Sequence, residues 1–216
     1  MFEDFVKKPE DSVFYITIWG SFSPTTFQYW WFVKNNLLGE KEAKNAEIKS
    51  TKNGIYVGLK YCKLQAKYDV LAIQTDQIAY LDEVFDLLNG ILISLKNVPI
   101  KAVEYSMYIH HIISDDVENV LKKIAPNNFW TGILDNPISN EIKVIQTKKE
   151  KIENQVSVSI EPCPKSKEKI HIQVDDYYNF TEKKIDAKEL QKKMRGEFEK
   201  SINNSITIIN KATNEF

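Results

Sequence analysis

Apolar and polar positions follow two rhythms along this chain, and they alternate in blocks. Segment 13–19, VFYITIW, is β-branched and aromatic and reads as a strand. SFSP follows, with Ser23 placed to cap a helix and Pro24 at a first position where a missing N–H costs nothing. Phe27, Trp30, Trp31, Leu37 and Leu38 then share one helical face, and Gly39 is the expected stop. EKEAKN (40–45) reads as a polar loop or helix tail. AEIKS, IYVGLKYCK and YDVLAIQ read as three further strands, with an Asn53-Gly54 hairpin signal between the first two. The clearest helix spans 80–96. Leu81, Val84, Phe85, Leu88, Ile91, Leu92 and Leu95 recur at i, i+3, i+4, i+7 spacing, Asp82, Glu83 and Asp86 lie near its start, and Asn97 and Pro99 end it.

The order then recurs. Residues 100–110, IKAVEYSMYIH, form a strand. Ser114 is the expected cap of a helix with Asp115, Asp116 and Glu118 in its first turn, an apolar face of Val117, Val120, Leu121 and Ile124, and Pro126 after it. EIKVIQT, IENQVSVSI and KIHIQV are three strands. Asp186 and Glu189 have capping-box spacing before a helix that places Ala187, Leu190, Met194, Phe198 and Ile202 on one face. The predicted class is α+β: a mostly antiparallel sheet with helices packed mainly on one face. Residues 1–98 and 99–216 read as two β-α-β-β-β-α halves of an internal duplication, forming either two units or one continuous domain. A duplicated unit with helices on one side of a curved sheet resembles the TATA-binding-protein-like folds in element order. None of that family's motifs is present, and no residue role is carried over.

Strand parity assigns two faces. Val103, Tyr105, Met107 and Ile109 point inward with Ile152, Val156, Val158, Ile160, Ile170, Ile172 and Val174. Glu104, Ser106, Tyr108, His110, Lys169, His171 and Gln173 point the other way. The first strand carries apolar atoms on both faces and is expected to be central or covered on both sides. If the halves share one sheet, its open face carries Tyr15, Thr17, Trp19, Tyr56, Lys60, Tyr108, His110, His171 and Gln173. Tyr15, Trp19, Tyr56, Lys60, Tyr108, His110 and His171 are the candidate binding surface, since surface aromatics tend to anchor interfaces.

Composition narrows the function classes. The formal net charge is -1, and 43% of residues are apolar, ample for a core. Residues 1–98 carry 11 Lys against 12 acidic residues, and the remainder 18 basic against 18 acidic. Neither half has the basic excess of a broad nucleic-acid footprint. Cys62 and Cys163 fit no metal spacing and suit free thiols in a reducing cytoplasm. No apolar run approaches a membrane span, and the first residues carry no signal-peptide pattern.

Motifs that could carry chemistry are few. His110 and His111 are adjacent on a strand and so point to opposite faces, which does not suit a shared metal ion. His171 lacks a Ser or Cys nucleophile tied to it by any motif. Asp175-Asp176 with Tyr177 and Tyr178 reads as a strand end whose carboxylates are turn residues before they are ion ligands. FWTGIL (129–134) is expected to be buried in a connector, and the lysine runs at 148–151 and 165–169 to be hairpin tips. The leading expectation is a non-enzymatic protein-interaction module or accessory subunit, cytoplasmic, outside the membrane and without cofactor or metal. Its partner would be another protein or a second copy. The alternative is a nucleic-acid-associated protein that stacks bases on the aromatic face. A small-ligand pocket between sheet and helices has no sequence signal.

Overall fold

The computed structural model describes residues 11–113, 116–125, 141–149, 153–163, 166, 168–182 and 185–214. It contains ten strands and five helices among the described residues. The first strand, β1 (Asp11–Gly20), leads through a short 3-10 turn to helix α1 (Tyr29–Lys34) and helix α2 (Glu40–Asn45). Then come β2 (Glu47–Thr51), β3 (Gly54–Gly58), β4 (Lys63–Ala66), β5 (Val70–Thr75) and helix α3 (Leu81–Ser94). The remainder holds β6 (Pro99–Ile112), helix α4 (Val117–Ile124), β7 (Ile142–Lys149), β8 (Glu153–Pro162), β9 (Lys169–Asn179), the two-residue β10 (Ile185–Asp186) and helix α5 (Ala187–Asn214).

All ten strands join one antiparallel sheet in the order β2-β3-β4-β5-β1-β6-β9-β8-β7, with β10 beside β6. β1 and β6 pair at its centre, Phe14 opposite Met107 and Ile16 opposite Tyr105. Alternation fixes what each strand buries. Phe14, Ile16 and Ile18 of β1 are buried with Leu71 and Ile73 of β5, Val103, Tyr105, Met107 and Ile109 of β6, and Ile170, Ile172 and Val174 of β9. The opposite set on β1, Val13, Tyr15, Thr17 and Trp19, is half-exposed. β1 is therefore central, as expected, but among the described residues helices cover only one of its faces.

The buried faces of the helices join that same core. α3 buries Leu81, Val84, Phe85, Leu88, Ile91 and Leu92 as its spacing predicts, and Leu87 in addition. α5 buries Ala187, Leu190, Met194, Phe198 and Ile202, and continues with Ser201, Ser205 and Ile209. The two helices meet where Phe85 stacks on Phe198 with ring centroids 4.9 Å apart, and Arg195 lies over the Phe85 ring. The α5 capping box begins as predicted, with Glu189 N–H donating to Asp186 Oδ1 at 2.8 Å.

Several local expectations need correction. IYVGLKYCK is not one strand. Leu59–Cys62 form a turn, closed by Leu59 N–H donating to the Cys62 carbonyl at 2.8 Å, and β3 and β4 lie on either side of it. The first half thus has four strands between its helices where three were expected. The Ser23–Leu38 helix is also broken. Ser23 makes no side-chain cap, and the extended backbone of Gln28 resets the helical phase, so α1 begins only at Tyr29. Trp31 and Phe32 are buried as a result, and Trp30 is 55% exposed. EKEAKN is the helix α2, with Gly39 as its N-cap rather than a stop. Asp116 caps α4, accepting from Glu118 N–H at 2.8 Å; Ser114 lies outside the described residues, as do FWTGIL, Ile152 and parts of both lysine runs.

Candidate functional site

Four of the residues expected on the open face come together at the centre of the sheet. His110 on β6 and His171 on β9 are direct cross-strand partners, with ring centroids 5.3 Å apart. Tyr108 meets the His171 ring edge-on at 5.0 Å and stacks on Tyr15 at 5.5 Å. The Tyr15 and Tyr108 hydroxyls share a hydrogen bond of 3.0 Å. Burial, followed by the bond to Tyr15, raises the Tyr108 pKa well above the usual phenol value. This phenol stays neutral at any physiological pH. Trp19 lies on the same face, edge-on to Tyr177 at 5.7 Å.

Two further candidates stand apart from this cluster. Tyr56 shares the face but sits on β3, with β4 and β5 between it and β1, where its hydroxyl accepts from Gln65 Nε2. Lys60 lies in the turn between β3 and β4 and so belongs to no strand face. Its placement on the sheet followed from reading that stretch as one strand.

Strand parity carried further along β8 and β9 finds residues that the sequence reading left out. Glu161 pairs with His171 across the β8–β9 ladder, and His171 Nδ1 lies 2.8 Å from Glu161 Oε1. His171 Nε2 is buried without a hydrogen-bond partner among the described residues, so none of their hydroxyls or thiols is placed for it to activate. Asp175 and Asp176 lie inside β9, not in a turn, and both are buried. They point to opposite faces and cannot jointly hold an ion. Asp175 accepts from Ser157 Oγ at 3.2 Å and Gln173 Nε2 at 2.8 Å on the open face. Asp176 accepts from Asn154 Nδ2 at 2.7 Å on the helix side, where the Tyr178 hydroxyl stands 3.1 Å from both Asp176 Oδ2 and Glu197 Oε2. Glu104 sits beside Asp175, and burial first and that charge second raise its pKa, with Ser106 and Lys143 offsetting part of the effect.

His111 faces the helix side, opposite Ile170, and burial lowers its pKa. Among the described residues, no three His, Cys, Asp or Glu side chains gather closely enough to hold a metal ion. Cys62 is buried and Cys163 half-buried, and neither is in a disulfide. Burial, with Glu42 adding to it, pushes the Cys62 thiol up to about 12, which leaves it unreactive near neutral pH. Among the described residues, no helix is long and apolar enough to cross a membrane. No protein-family model matches the sequence, and no curated protein matches it.

Proposed function

We propose that this chain is a non-enzymatic interaction module, an accessory subunit that docks a protein partner on the open face of its sheet. The observation that carries this reading is the chemistry of that face along its five central strands. From β5 through β1, β6 and β9 to β8 it presents Tyr15, Trp19, Tyr108, Tyr177, His110 and His171. Glu104, Asp175 and Glu161 lie among them, and between the Trp19 and His171 rungs there is no Lys or Arg. Aromatic rings beside carboxylates suit a partner segment bearing Arg or Lys, which can stack on the rings and pair with the acids. The same charge pattern counts against the nucleic-acid reading. Phosphate contacts need cations where the strand lies, and the lysines that strand parity puts on this face, Lys49, Lys63, Lys143 and Lys169 among them, lie outside that central stretch.

A photo-crosslinking amino acid placed at Thr17 or Gln173 tests the proposal in cells. The expected result is a crosslink to another protein that is absent when the probe replaces Lys188, an exposed position on α5. A crosslink to a second copy would make the face a self-association surface. Mobility shifts with DNA or RNA at low salt, abolished by Trp19→Ala, would replace this reading with the nucleic-acid one.

A further inference from the structure

A sizeable cavity lies away from the open-face cluster, at the β2 end of the sheet. It is a cleft of about 960 Å³ between α2 and strands β2, β3 and β4. Its origin is local. α2 has only six residues, and β2, which follows it, is exposed at every position except the half-buried Ile48. Helix and strand edge therefore do not close on each other. The lining is largely apolar, with Ala46, Val57, Leu59, Tyr61 and Leu64 contributing. Such a volume and lining fall in the range of sites that enclose a small molecule.

Charge narrows the class of occupant. The lining includes Lys41, Lys49, Lys60 and Lys63 against Glu42 and Glu47. Glu47 is taken by Lys49 at 2.6 Å. Lys41, Lys60 and Lys63 make no ion pair among the described residues, so the cleft keeps a positive excess around an apolar interior.

We propose that this cleft binds a single-chain amphiphile with an acidic head, of the fatty-acid class. The chain would lie against Ala46, Tyr56, Leu59 and Tyr61, and the carboxylate would be held by Lys60 and Lys63. A cationic rim gains most from a ligand whose charge stays at the mouth, since a carboxylate carried into the apolar interior would lose its hydration. This site also gives Lys60 a role that the sheet face does not. The proposal is independent of the docking surface, and neither stands on the other.

Isothermal titration of the full chain with decanoate tests it, with decyl alcohol, acetate and phosphatidylglycerol vesicles as the comparison probes. Decanoate should bind saturably, decyl alcohol about tenfold more weakly, and acetate not at all. Lys60→Glu and Lys63→Glu, both at exposed positions, should each weaken decanoate binding about tenfold while leaving the unliganded melting temperature unchanged. Equal binding of the alcohol, indifference to both charge reversals, or binding of vesicles without binding of decanoate would each overturn the proposal.

Discussion

Tyr15 and Tyr108 are joined through their hydroxyls at 3.0 Å, across the one strand pair that unites the two halves of the chain. The bond sits at the edge of solvent on a stacked ring pair. Tyr15→Phe and Tyr108→Phe should each cost about 0.5–1.5 kcal/mol. The double variant should cost little more than either single one, because the bond can be lost only once. Urea denaturation of the four proteins measures this. Additive losses would mean that the hydroxyls act separately.

Leu88→Ala tests the core. Leu88 is 0% exposed on α3, facing the sheet. The substitution should destabilise the chain by about 2–5 kcal/mol, from lost transfer energy and the cavity left behind. A loss below that range would mean that the α3–sheet contact is loose.

Glu104 makes stability depend on pH. Its folded pKa is raised by burial and by Asp175, so ionisation costs more in the folded state than in the unfolded chain. The stability contribution is complete below the unfolded carboxylate pKa and is lost as pH rises through the folded value. Glu104→Gln should therefore raise the melting temperature at pH 7, and the gain should shrink at pH 4. A gain of the same size at both pH values would assign the effect to something other than ionisation.

Two glycines should respond in opposite directions. Gly54 has φ +155°, and a Cβ there would run into the Ala66 carbonyl oxygen. Gly54→Ala should cost about 1–3 kcal/mol. Gly196 lies within α5 with nothing near the space that a Cβ would occupy, and Gly196→Ala should stabilise by about 0.5–1 kcal/mol. Thermal melts of the two variants check both signs.

The first half orders five strands as β2-β3-β4-β5-β1 and the second four as β7-β8-β9-β6, so they are not equal copies; that each ends at the centre on its own first strand is the ground for proposing an ancestral duplication. A half released from its partner would bare β1 or β6 along the whole strand edge. A fragment of residues 1–98 should then pair with its own copy through β1, giving a dimer by light scattering. A folded monomer would count against equivalent halves.

What the sequence made legible is what local spacing controls. The α3 and α5 faces, the Asp186 cap and the parity of β6, β8 and β9 follow from residues within a few positions of each other. The turn at Leu59–Cys62 carries neither Gly nor Pro, and the register with β5 splits the strand there. Gln28 breaks a helix that its neighbours favour, and no local residue announces it. The open-face cluster was half visible. Tyr15, Tyr108, His110 and His171 follow from parity, but Glu161, Asp175 and Tyr177 join them because β8 and β9 run further than their alternation of apolar residues indicates. The cleft under α2 was invisible, because it arises from a distance between two elements rather than from any motif.

The position of β1 bears on how the molecule comes to be. β1 lies at the middle of the finished sheet, and its partners are made well after it: Ile18 faces Leu71, and Phe14 faces Met107. Loop closure over such spans is slow compared with local helix formation. Until β5 and β6 arrive, FYITIW is an apolar ribbon with both edges bare, open to capture by other chains. Refolding yield should therefore fall steeply with protein concentration, and a chaperone that shields extended apolar segments would have its main target in the nascent N-terminal half.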